Sequence, residues 1–179
     1  ADNIGGAGAG DAITFNSTVM SGTIAATNGD INVDIDNSAS ATDITATISA
    51  GDDFSGSLIS GGAITNPLVI GDDLIAVAGN GAVNITTAGD GNLAGVTVGG
   101  DINDAAGAVN ILSQGNIAYV NATGAIGLGG AGVTITADSD AGAGETGNIG
   151  ANAGGLTGVT AGDGINANIA AASGTVFLV

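Results

Sequence analysis

Between Gly81 and Ala137 the chain repeats one small pattern: two bulky residues a single position apart, bounded by Gly, Asn or Asp. The pairs are Val83/Ile85, Val96/Val98, Val109/Ile111, Ile117/Tyr119 and Val133/Ile135. In a strand, residues two apart point to the same face, so each pair reads as a short strand with one buried side. Gly, Asn and Asp end strands because they tolerate turn geometry and positive φ. Many short one-sided strands joined by tight turns predict a sheet coiled and stacked on itself, a β-solenoid.

Composition agrees. The chain has 35 Gly, 33 Ala, 16 Asp and one Glu, with no Lys, Arg, His, Cys or Trp. Ile, Val, Leu and Phe together make 44 of 179 residues, a quarter of the chain. That lies above the roughly 20% below which a highly charged chain stays disordered. Helix is disfavoured, since Gly interrupts nearly every window of ten residues and each interior Gly costs about 1 kcal/mol relative to Ala. With three Phe and one Tyr, a thick core is hard to fill. A thin core of stacked Ile, Val, Ala and Thr is not.

The formal charge is −17 with no cationic side chain. Nothing can neutralise phosphate, so nucleic acid is excluded as a direct partner, as is an anionic membrane surface. No run of about 20 apolar residues is present, so no membrane insertion is expected. The sequence opens at Ala1-Asp2-Asn3 without a signal peptide, compatible with a processed secreted chain. Trypsin-like proteases find no site in it.

Taken in order, Ile13/Phe15 open the first strand, and Ile31, Val33 and Ile35 alternate with Asn32, Asp34 and Asp36 in the clearest one. Ile44, Ala46 and Ile48 repeat the pattern. Gly51-Asp52-Asp53 and Gly71-Asp72-Asp73 are two similar turns, and Pro67 between them marks a bend or strand end. Asp138 to Gly147 reads as a longer acidic loop. Further strands follow at Ile149, Leu156/Val159, Ile165/Ala167/Ile169 and Val176/Leu178. Turn-then-strand signals such as GDI, GNI and GAV recur irregularly. A rung of about 20 residues predicts roughly nine rungs in one domain spanning 1–179, a rod some 40 Å long at about 4.8 Å per rung.

The sequence ends on the apolar strand Val176-Phe177-Leu178-Val179, and joining this end to the start at Ile4 continues the pattern. An open terminal rung is an unpaired sheet edge. Val176, Phe177, Leu178 and Val179 at one end, with Ile4, Ile13 and Phe15 at the other, are therefore the candidate assembly residues for a homopolymer. A slice of a longer array is the other explanation. A β-sandwich subunit that donates its terminal strand is the competing architecture, since alternation alone fits both.

The phrases GAVNITTAGDGNLAGVTVGGDI, GNIAYVNATGAIGLGGAGVTITADSDAGAGETGNI and INANIAAASGTVFLV resemble the repeats of filamentous-haemagglutinin-type bacterial exoproteins. The resemblance covers most of residues 63–179. It implies a right-handed parallel β-helix, secreted and elongated, with a non-catalytic role in adhesion or surface fibres and contact with cell surfaces or glycans.

Three kinds of chemistry remain to be weighed. Some parallel β-helices are carbohydrate-active enzymes that use paired carboxylates. Asp52/Asp53 and Asp72/Asp73 are the adjacent acid pairs here, but no His, Lys or Arg can serve as base or tune a pKa. They read as turn residues and the chain as a non-enzyme. Calcium is the one candidate cofactor and none is required: Asp138, Asp140 and Glu145 cluster in a Gly-rich loop, though their spacing does not match the twelve-residue helix–loop–helix calcium loop. Asn16, Asn84 and Asn121 begin N-x-Ser/Thr sequons and are candidate glycosylation sites. The competing reading of such Asn residues is a ladder of stacked, hydrogen-bonded amides. The functional expectation is a structural subunit of an extracellular fibre, sheath or matrix, with a secreted adhesin passenger as the alternative.

Overall fold

A computed structural model describes residues 13–16, 20–78, 81–103, 105–127, 129–139, 147–150, 158–172 and 174–178. Among them the protein is all-β, with parallel strands in two sheets and no helix. The chain crosses the same columns again and again, and each crossing is called a pass here. The first holds β1 (Ile13–Asn16) and β2 (Thr23–Ala26), the second β3 (Ile31–Asp36) and β4 (Thr47–Ala50), the third β5 (Phe54–Ser60) and β6 (Leu68–Ile70). From the fourth pass on, a short strand precedes each long one. Those passes hold β7 (Leu74–Ile75), β8 (Val83–Thr87) and β9 (Val96–Val98), then β10 (Ile102–Asn103), β11 (Val109–Ser113) and β12 (Tyr119–Ala122). The sixth holds β13 (Ala125–Ile126), β14 (Val133–Ala137) and β15 (Gly158–Ala161), and the seventh β16 (Gly164–Ile165) and β17 (Asn168–Ala171).

One sheet has eleven strands and forks at β5, where Phe54 pairs with Leu74 of β7 while Ser57–Ser60 pair with β8. The fork exists because later passes insert a loop into what β3 and β5 run as one strand. The second sheet stacks β2, β4, β6, β9, β12 and β15. Between the sheets runs a file of single bridges through Met20, Ile44, Ile64, Leu93, Ile117, Ile149 and Val176.

Those bridge positions count the passes. They lie 24, 20, 29, 24, 32 and 27 residues apart, giving seven passes among the described residues rather than about nine. The expected period was too short because the corner loops add residues without adding strands. Every described pairing is parallel, which the antiparallel sandwich alternative does not produce.

Four files of in-register side chains make up much of the core. Ile35, Leu58, Ile85, Ile111 and Ile135 form one, and Ile31, Phe54, Leu74, Ile102 and Ile126 another, all fully buried. The third runs from Ile48 through Leu68, Val96 and Val120 to Val159, and the bridge file is the fourth. Each buried side chain contributes about 2 kcal/mol, so stability accrues pass by pass.

The alternations at Val83/Ile85, Val96/Val98, Val109/Ile111 and Val133/Ile135 are all buried pairs on one face. Ile117/Tyr119 is not. Ile117 is a bridge residue, the strand starts afresh at Tyr119, and Val120 and Ala122 take the inward positions. Tyr119 faces outward beside Gly95, where an added methyl would strike the phenol ring. Pro67 stands just before β6, as a residue that cannot donate to a ladder should.

Candidate functional site

The recurrent Gly-Asx-Ile triplets form two corners of the stack, and each corner is a ladder. At the first, the residue ahead of β3, β5, β7 and β10 carries a carboxylate. The Asp53 N–H donates to Asp30 Oδ1 at 3.3 Å, Asp73 N–H to Asp53 Oδ1 at 3.0 Å, and Asp101 N–H to Asp73 Oδ1 at 2.7 Å. Ala125 N–H closes the series on Asp101 Oδ1 at 2.6 Å. A backbone N–H that turns out of the sheet at a bend needs an acceptor. Here the acceptor is the side chain of the equivalent residue one pass earlier.

At the second corner the same task falls mainly to asparagine. Ala63 N–H donates to Asp43 Oδ1 at 2.8 Å. Asn116 N–H and Nδ2 donate to Asn92 Oδ1 at 2.8 and 3.0 Å, and Asn148 N–H and Nδ2 to Asn116 Oδ1 at 2.8 and 3.3 Å. Thr175 N–H then donates to Asn148 Oδ1 at 2.9 Å. At several steps the Asx side chain lies where the residue before its partner would place a Cβ. A methyl at Gly100 would meet the Asp73 and Asp72 carboxylates, one at Gly124 the Asp101 carboxylate, and one at Gly115 the Asn92 carbonyl. Gly100, Gly115 and Gly124 therefore leave room for the Asx of the pass before.

Stacking also gathers charge. One carboxylate oxygen each from Asp52, Asp53 and Asp72 lies within 4.8 Å of the others, with Asp52 and Asp72 exposed and Asp53 half-buried. Burial pushes the Asp53 carboxyl up, with repulsion from Asp73, Asp52 and Asp30 adding to it and the bond from Asp73 N–H opposing. The Asp72 carboxyl is raised chiefly by the charge of Asp73, then by burial, Asp52 and Asp101. Three carboxylates can attract a hard cation but supply fewer than the roughly six oxygens that calcium takes. The chain has no His or Lys to stand beside them.

The acidic loop expected to hold calcium is placed only in part. Asp138 is fully buried in a left-handed conformation at φ 54°, while Asp140 and Glu145 lie outside the described residues, as do Leu156, Ile4 and Val179. Among the sequon residues, Asn84 belongs to an amide pair: its Nδ2 donates to Ala82 O at 3.2 Å and its Oδ1 accepts from Asn110 Nδ2 at 3.0 Å. Asn121 lies between Thr97 and Thr160 on the second sheet, its Oδ1 buried without a hydrogen-bond partner. Asn16 ends β1 opposite Asp36.

Of the assembly residues, Ile13 and Phe15 lie in β1, paired with Val33 and Ile35. Val176 and Leu178 bridge to Ile149 and Val159. Phe177 stands in the outward file with Gly158 and Tyr119, so it does not share a face with its two neighbours. A further feature escapes sequence reading altogether. Ser60, Thr87 and Ser113 are fully buried at the ends of β5, β8 and β11. Their hydroxyls bind the carbonyls of Ala63, Gly91 and Asn116, tying the long strands to the amide corner.

Comparison with family models, with curated proteins and with solved structures finds no match, so the likeness to haemagglutinin-type repeats rests on the quoted phrases alone.

Proposed function

We propose that the chain is a right-handed parallel β-solenoid with a structural role, a subunit of an extracellular fibre, sheath or matrix joined end to end by strand pairing. The observation that carries this reading is the unbroken in-register stacking from β1 to β17. Such a stack adds length along one axis with each pass. The handedness follows from the strong preference of parallel crossovers for the right-handed sense. Zero Lys and Arg suit a protein that persists among extracellular proteases, and the outward acids keep neighbouring rods apart.

Negative-stain electron microscopy of the purified chain, with and without a calcium chelator, tests this. Unbranched filaments a few nanometres wide support the reading, and their loss on chelation would give the carboxylates a cation-binding role. Discrete short rods at every concentration would sink end-to-end assembly, and round particles would reject the solenoid. Antibody labelling of intact cells tests the extracellular location.

A further inference from the structure

The seventh pass exposes side chains of files that the second to sixth passes hide. Ile165 is 39% exposed, whereas Ile126, Ile102, Leu74 and Phe54 beneath it in the same file are all 0% exposed. Leu178 is 63% exposed above Val159, which is 0% exposed. Ile169 and Val176, half-buried against the core, continue the two remaining files. The surface is therefore a section through the core, with these four apolar files ending together.

Charge selects what can cover it. The chain carries 17 acidic groups and no cation, so most contacts between two copies bring carboxylates together. The stretches that form the two ends of the described stack carry no acid themselves. Residues 164–179 hold no acidic residue, and neither do residues 12–29, which contain β1 and β2. Among the described residues β1 pairs on one side only, with β3. Neutral end can thus meet neutral end while acidic flanks stay apart.

We propose that the seventh pass docks the first pass of a second copy, in the register already running through the molecule, with β17 pairing with β1. This rests on the end-to-end reading above and specifies its geometry. Asn168 belongs to the file of Thr134, Asn110, Asn84, Ser57, Asp34 and Thr14, and Ile169 to that of Ile135, Ile111, Ile85, Leu58, Ile35 and Phe15. Continuing those files sets Asn168 of one copy against Thr14 of the next, and Ile169 against Phe15. The two ends differ, so the contact is heterologous and propagates as an open filament.

The absence of cysteine makes the test clean. Aligned residues on neighbouring strands are about 4.8 Å apart, inside the roughly 4.4–6.8 Å window for a disulfide. The two positions lie at opposite ends of one molecule, so a bond between them joins two copies. The double variant Thr14→Cys/Asn168→Cys, oxidised, is expected to give a covalent ladder on non-reducing gels. The off-register variant Asn16→Cys/Asn168→Cys is expected to stay monomeric on the same gel, and adding Leu178→Asp to the first pair is expected to abolish its ladder with the circular dichroism spectrum unchanged. A ladder from the off-register pair, while the parent chain polymerises in sedimentation, would overturn the register but keep end-to-end assembly. Absence of polymer in sedimentation together with absence of any ladder would overturn both.

Discussion

The Asp101 carboxylate occupies the space that a side chain on Gly124 would fill, and from there accepts the N–H of Ala125 at 2.6 Å. Gly124→Ala is therefore expected to displace the acid, breaking the bond and overpacking the corner. A loss of about 1–3 kcal/mol follows, a fall in Tm of about 2–4 °C per kcal/mol for a chain of this size. Thermal unfolding followed by circular dichroism measures it. An unchanged Tm would mean that the carboxylate does not need that space.

Asp101→Asn keeps the acceptor oxygen and removes a charge beside Asp72 and Asp73, whereas Asp101→Ala removes both. The first is expected to match or exceed the parent in stability. The second leaves a backbone donor without its partner and is expected to cost about 1–3 kcal/mol. Urea unfolding of the two variants separates the acceptor role from the charge.

The asparagine corner is expected to behave in the opposite way. Asn116→Asp loses the Nδ2 that donates to Asn92 Oδ1 and sets a carboxylate against that oxygen. It is expected to destabilise by about 0.5–1.5 kcal/mol, the net worth of one hydrogen bond to an exposed acceptor. Equal stability of Asn116→Asp and parent would refute the ladder at this position.

Acid is expected to strengthen the fold before it weakens it. Asp53 and Asp72 have raised carboxyls, so each holds its proton more tightly folded than unfolded. Their ionised forms weaken the fold at neutral pH, and stability rises as pH falls through the raised values towards the ordinary carboxylate value of about 3.9. Asp36, lowered by its bonds from Ser38, works in reverse: its contribution is present above the ordinary value and is lost as pH falls through the lowered one. Melting curves from pH 7 to pH 3 are expected to peak on the acid side, and Asp53→Asn to flatten the rise. Added salt is expected to raise Tm at pH 7, because charges of one sign repel and salt screens them.

Much of this fold is legible in local chemistry. Alternation at Ile31, Val33 and Ile35, glycine in place of helix formers, and too few aromatics for a thick core dictate short one-sided strands and a thin interior. The GDI and GNI signals mark where strands begin. Their work is hidden from local reading, because the Asp101 side chain serves an amide 24 residues later and Gly124 is small for that same distant side chain. Only stacking sets such partners side by side. The corner loops vary in length, so no fixed period discloses the register, and the rung count, the break between Ile117 and Tyr119 and the outward turn of Phe177 were beyond reach. The same holds for Asp52, Asp53 and Asp72. Their turns are plain in the sequence, but their meeting within 4.8 Å depends on a parallel register that lays one turn upon the other. Strand chemistry is local and was decided by the amino acids; proximity across passes is not, and tertiary packing alone decided it.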